Sequence, residues 1–176
     1  MDNQQVTPLE LGWLVGAIDG EGALGITKRN RKHATLGFTL KPHVQLCNCD
    51  KSFIDRYTSI LDKLSVPYHI TFYKSKGRRR EHWTVTTAGL KRVSKILPSI
   101  TELLCDEKRE KAILMQEYID SRLADWHAAP FTERQLEIVE VLSGLNTRGR
   151  KTDLNLRDYT RDSRSSKFPN WKLNND

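Results

Sequence analysis

Asp19 and Glu21 fall where the first helix of the chain is expected to end. A helix C-terminus is the negative end of its dipole, so a carboxylate there is disfavoured by up to about 1 kcal/mol and something positive is expected beside it. A hard divalent cation, held by carboxylate and backbone carbonyl oxygen next to Gly20 and Gly22, meets that demand. Two solvated acids in a turn are the other reading. The same helix carries Gly12, Gly16 and Gly20 at four-residue intervals. Glycine inside a helix costs about 0.5–1 kcal/mol against alanine, and close approach of another backbone is the usual compensation. If that backbone belongs to the same helix of a second copy, a two-fold axis sets two Glu21 carboxylates side by side. Like charges so placed cannot both stay ionised cheaply without cations between them. The predicted chemistry is metal-assisted and sits at a homodimer interface.

The elements that must position these residues follow from local patterns. Thr7-Pro8-Leu9-Glu10 reads as a capping box with proline at the first helical position, and Val6 and Leu11 form a hydrophobic staple. Leu11, Leu14, Val15 and Ile18 repeat at helical spacing up to a stop at Gly20 to Gly22. Residues 36–46 alternate, with Leu36, Phe38, Leu40, Val44 and Leu46 on one face, and Pro42 marks a bend or an edge. Residues 23–29 are the expected hairpin partner. Asp50 caps a helix running through Phe53, Ile54, Tyr57, Ile60, Leu61 and Leu64. A second hairpin is expected from 68–73 and 81–87, with Ile70, Phe72, Trp83 and Val85 inward. Helices follow at about 88–97, 106–126 and 132–145. The order is α-β-β-α-β-β-α with helices appended: an α+β fold on a four-stranded antiparallel sheet, one domain over 1–146.

Composition sets the frame. A chain of 176 residues with 38% hydrophobic content buries one ordinary core. The 29 Lys and Arg against 22 Asp and Glu give a formal charge of +7, which favours a polyanionic partner without requiring one. Cys47, Cys49 and Cys105 are odd in number and lack Cys-x-x-Cys spacing, which points to a reducing interior rather than a disulfide scaffold. No apolar run reaches the length of a membrane span and the N-terminus does not read as a signal peptide, so a soluble, intracellular protein with no membrane partner is expected. Past Asn146 periodicity stops, and 147–176 reads as a basic, largely irregular tail.

Leu14-Val15-Gly16-Ala17-Ile18-Asp19-Gly20-Glu21-Gly22 resembles the LAGLIDADG motif that names a family of homing endonucleases. It keeps Leu, Gly, Ile, Asp and the final Gly, and puts Glu for Asp at the acidic eighth position. The family's αββαββα core, with its saddle-shaped sheet, covers 6 to about 126 in the same order. With one motif copy the chain is similar to the homodimeric branch. The resemblance implies that Glu21 of each subunit binds catalytic metal, Mg2+ or Mn2+, with the Gly20 carbonyl helping, and that Ca2+ supports binding without cleavage. It implies that Asp19 ties helix ends together, with Gly12 and Gly16 packing the motif helix. Asn48 stands where a polar residue orders water around the metals, and Lys108 where a lysine lies by the scissile phosphate. As lone residues, both also fit an ordinary surface role.

The partner implied is double-stranded DNA, read in the major groove by the sheet. The alternation supplies hydrogen-bonding side chains for that face: Thr27, Arg29 and Arg31, then Thr39, Lys41, His43 and Gln45, then His69, Thr71, Tyr73, His82, Thr84 and Thr86. A plain antiparallel sheet with one wet face looks similar. The hairpin turns add a dense basic run, including Arg78, Arg79 and Arg80, suited to phosphate. Expected function is hydrolysis of both strands of a long pseudo-palindromic site, leaving 3′ overhangs and serving intron mobility, in the cytoplasm of a prokaryote or in a mitochondrion or chloroplast. The rival is a non-cutting relative, either an intron-RNA maturase or a DNA-binding regulator.

Overall fold

The computed structural model describes residues 5–30, 37–77, 80–125 and 129–146. Arg31, Arg78, Arg79 and the tail from 147 lie outside the described residues. Helix α1 (Pro8–Glu21) leads directly into strand β1 (Gly22–Asn30), which pairs with β2 (Phe38–Asn48). Helix α2 (Lys51–Lys63) precedes the second hairpin, β3 (His69–Tyr73) and β4 (His82–Ala88). Then come α3 (Leu90–Ile100), a short 3-10 turn (Thr101–Leu103), α4 (Asp106–Ala124) and α5 (Glu133–Asn146).

Each helix starts as its cap dictates. Thr7 Oγ1 accepts from the Glu10 backbone N–H, and the Glu10 carboxylate accepts from the Thr7 backbone N–H, so two of the donors left open at the start of α1 are satisfied reciprocally. Asp50 accepts from the Ser52 N–H at the start of α2. Helix α3 begins two residues later than alternation suggested, because Gly89 takes φ +104 to turn the chain out of β4, a conformation barred to most L side chains.

The four strands form one antiparallel sheet in the order β1-β2-β4-β3. Strand β2 is therefore interior, and Pro42 is not on an edge. It is tolerated because the β2–β4 ladder begins one residue later, at His43 opposite Ala88, and the Pro42 carbonyl still accepts from the Gly89 N–H at 2.8 Å. Leu24, Ile26, Phe38, Leu40, Val44, Leu46 and Val85 cover one face and are buried against Leu14, Ile18, Ile54, Tyr57, Met115 and Ile119 from the helices. Two expected core residues are not in it: Ile70 is 38% and Phe72 44% exposed. They lie on β3, the edge strand, and Phe72 packs only sideways on Trp83 at 5.0 Å.

Candidate functional site

The register gathers the polar side chains on the face that the helices leave open. Ala23, Gln45, Thr86 and His69 line up across all four strands, as do Cys47, Thr84 and Thr71 across three. Gly25 stands opposite His43, Thr27 opposite Lys41, Arg29 opposite Thr39 and Tyr73 opposite His82. Residues directly opposite in an antiparallel pair share a face, so a one-residue slip anywhere would have scattered this set. Thr27, Arg29, Lys41, His43, Gln45, His69, Thr71, Tyr73, Thr84 and Thr86 line an open concavity of about 470 Å³.

Several of these side chains are held before any ligand arrives. Thr27 Oγ1 lies 3.2 Å from His43 Nδ1. Burial pushes the His43 imidazole below its usual range, a backbone hydrogen bond at Lys41 opposes this, and the Arg29 charge adds to it, so the site favours the neutral ring. His82 stacks on Tyr73 at 5.0 Å and its Nδ1 lies 3.1 Å from the Arg80 carbonyl. Thr84 departs from expectation: it is on the polar face yet 5% exposed, with its hydroxyl 3.1 Å from Cys47 Sγ. Tyr68 and Arg92 line the concavity and are not among the side chains that alternation singles out; Cys47, also not singled out, lies beside it, bonded to Thr84. Cys47 was within reach, since it continues the odd-numbered face two residues past Gln45. Arg92 comes from α3, and strand alternation carries no signal for it.

At the other end of the hairpin, the final glycine of the motif is explained by space. A Cβ at Gly22 would sit 2.6 Å from the Ile18 carbonyl oxygen and 2.8 Å from Ile18 Cα, so the turn from α1 into β1 admits only glycine. Just before it, the two breaches of helix electrostatics answer each other. Asp19 carboxylate oxygens accept from the Cys105 backbone N–H at 3.2 and 3.3 Å, placing negative charge at the start of α4. Lys108 Nζ donates to the carbonyls of Ile18 and Asp19, at 2.6 Å each, placing positive charge at the end of α1. Burial draws the Lys108 ammonium below its usual range, and the Asp19 charge opposes that. The positive group expected at this helix end is thus a lysine from α4, and Asp19 does join two helix ends.

Glu21 takes no part in this exchange. It is exposed, and among the described residues it carries no hydrogen bond or ion pair. Asn48, half-buried at the end of β2, accepts from the Asp50 N–H at 2.8 Å through Oδ1. Gly12, Gly16 and Gly20 are exposed, and an added Cβ at any of them meets nothing within 4 Å. Nothing among the described residues therefore accounts for their bareness. Leu9, 78% exposed, extends the same stripe. Among the described residues no group of three His, Cys, Asp or Glu side chains converges on a metal position. One chain supplies a free carboxylate beside helix-end carbonyls, and Mg2+ is commonly held by one or two carboxylates with phosphate and water completing its shell. The donors fit half of such a site.

No family model matches the chain, and no curated protein matches it. Solved structures do. The homing endonuclease I-CvuI, in complex with its target in the presence of calcium, aligns with a TM-score of 0.66 at 17% identity, over 86% of this chain and 92% of that one. An archaeal intron-encoded homing endonuclease, I-Vdi141I, complexed with DNA, aligns at 0.65 and 16% identity, over 85% and 93%. I-SmaMI, a LAGLIDADG homing endonuclease bound to cleaved DNA, aligns at 0.63 and 18% identity, over 88% of this chain but 49% of that one. The chain has the fold of the LAGLIDADG homing endonucleases. Within that class it matches I-CvuI and I-Vdi141I over nearly their whole length and I-SmaMI over about half.

Proposed function

We propose that this chain is a site-specific homing endonuclease that binds a long pseudo-palindromic DNA duplex as a homodimer and hydrolyses both strands with divalent metal. One observation carries the reading: an exposed, unpartnered Glu21 stands at the end of a helix whose bare glycine stripe has nothing to pack against, on a chain whose sheet offers a polar concave face. A second copy joined along Gly12, Gly16 and Gly20 accounts for the stripe and brings two Glu21 carboxylates together. I-CvuI and I-Vdi141I are complexed with DNA, and I-CvuI complexes were obtained in the presence of calcium and of magnesium, which supports both partner and metal class.

In this reading Glu21 and the Gly20 carbonyl bind the cation, and Asp19 and Lys108 fix the helix end that carries them. A divalent cation there supplies a Lewis acid for the developing phosphate charge and a source of activated water. Asn48 offers its amide to water beside the site. Thr27, Arg29, Thr39, Lys41, His43, Gln45, His69, Thr71, Tyr73, His82 and Thr86 face the bases and backbone, with Arg80 at the hairpin turn. Cleavage with short 3′ overhangs and a role in intron mobility follow from the same reading.

The test is incubation of the purified full chain with plasmids carrying a selected target. Magnesium should support double-strand cleavage and calcium should support binding alone. A chain that binds intron RNA tightly and leaves every duplex intact in magnesium would instead be a maturase.

A further inference from the structure

The polar face contains one hydrogen-bonded chain of side chains that is more than a row of independent contacts. Gln45 and Cys47 are two residues apart on β2 and project to the same side, and β4 sets Thr84 opposite Cys47. Thr84 is 5% exposed, and its hydroxyl lies 3.1 Å from Cys47 Sγ. The Gln45 side-chain nitrogen donates to the same sulfur at 3.7 Å. The thiol thus joins a buried hydroxyl to a half-buried amide, and Gln45 and Thr84 both line the concavity.

A freely turning glutamine can show a base either its NH2 group alone or its oxygen and NH2 together. In this chain one N–H of Gln45 is directed along the sheet into sulfur, which fixes the turn of the amide and leaves the carbonyl oxygen and the second N–H for a ligand. That pair complements the adenine edge, with its N6 donor and N7 acceptor. It mismatches guanine, whose N7 and O6 both accept.

Resting on the endonuclease reading above, we propose that Cys47 is a positioning residue that holds Gln45 in the orientation selecting adenine at one symmetric pair of target positions. Thr84 anchors the thiol.

The experiment is selection from a random-sequence duplex library by the full chain in calcium, with sequencing of the bound fraction. The parent should enrich a two-fold-related site in which one symmetric pair prefers adenine over guanine by about tenfold. Gln45→Ala should identify that pair by erasing its preference. Cys47→Val should keep the parent's circular dichroism and the rest of the site, melting somewhat lower because the buried Thr84 hydroxyl loses its partner, while the adenine preference falls to about threefold or less. Cys47→Ser, which restores a donor and acceptor, should recover most of it, and Thr84→Val should weaken it without touching Gln45. A Cys47→Val protein with full adenine preference, or any other base at the Gln45-dependent pair, would overturn the proposal and leave the endonuclease reading standing. Failure of the parent to enrich any sequence would overturn both.

Discussion

The two working regions of this molecule differ in how much of themselves one chain contains. The polar face of the sheet is complete: four strands in register bring its side chains together, and Thr27–His43 and Gln45–Cys47–Thr84 contacts set several of them in advance. The end of α1 is half-built. Asp19 and Lys108 fasten it firmly, but Glu21 faces open space without a partner among the described residues, beside glycines that touch nothing. On the proposed reading this is a division of labour, with recognition preassembled in each protomer and catalysis withheld until two protomers pair.

The sharpest way to break that contrast is at the glycine stripe, where the second copy is proposed to pack. Gly16→Leu puts a branched side chain where a second backbone is proposed to approach. It should abolish cleavage and leave a monomer in sedimentation, while the circular dichroism of the sheet and helices stays unchanged. A Gly16→Leu protein that remains a cutting dimer would remove the reason for the glycines.

The next largest effect is expected where α1 and α4 exchange charge. Lys108→Met removes two charge-assisted hydrogen bonds and takes the lysine from the Asp19 carbonyl, while the Ile18 carbonyl keeps the Gly22 N–H, so unfolding in urea should show a loss of about 1–3 kcal/mol, with cleavage reduced as well. Unchanged stability would mean that the lysine serves the ligand alone. Its ammonium points at α1 carbonyls in the free protein, which the resemblance to the nuclease motif did not foretell.

Smaller again is the effect of one phosphate contact. Arg29, exposed at the rim of the sheet beside the first hairpin turn, should contribute to all duplexes alike. Arg29→Ala should reduce the slope of log affinity against log salt by about 1 without altering sequence preference. A change in preference would move Arg29 from backbone grip to base reading. The smallest effect belongs far from both regions: Thr7→Ala at the start of α1 should cost about 1 kcal/mol of stability and leave cleavage and binding as they were.

What the sequence made legible follows the same division. The capping box at Thr7, the alternation through β2 and the cap at Asp50 are local signals, and each appears in the structure where it was expected. Strand order is not local, so the sequence leaves Pro42 as a bend or an edge where the structure puts it inside the sheet, and it turns Ile70 and Phe72 inward on what is an edge strand. Alternation tells which face a residue occupies, never which strands flank it or whether a helix covers that face. The acids at the end of α1 were noticed through the dipole rule, yet half of the anomaly belonged to an exchange with Lys108, eighty-nine residues beyond Asp19 and invisible to any window along the chain. What remained after that exchange was Glu21 alone.

Glu21 is therefore the residue on which the account turns, and the most direct test is a paired measurement on Glu21→Gln. Gel shift on the selected target in calcium or without metal should show specific, salt-sensitive binding at least equal to that of the parent, because the reading face is untouched and a repelling carboxylate pair has gone. Plasmid cleavage in magnesium should fall by orders of magnitude. Cleavage by Glu21→Gln at close to the parent rate would contradict the metal assignment, and loss of binding together with cleavage would contradict the separation of the two regions.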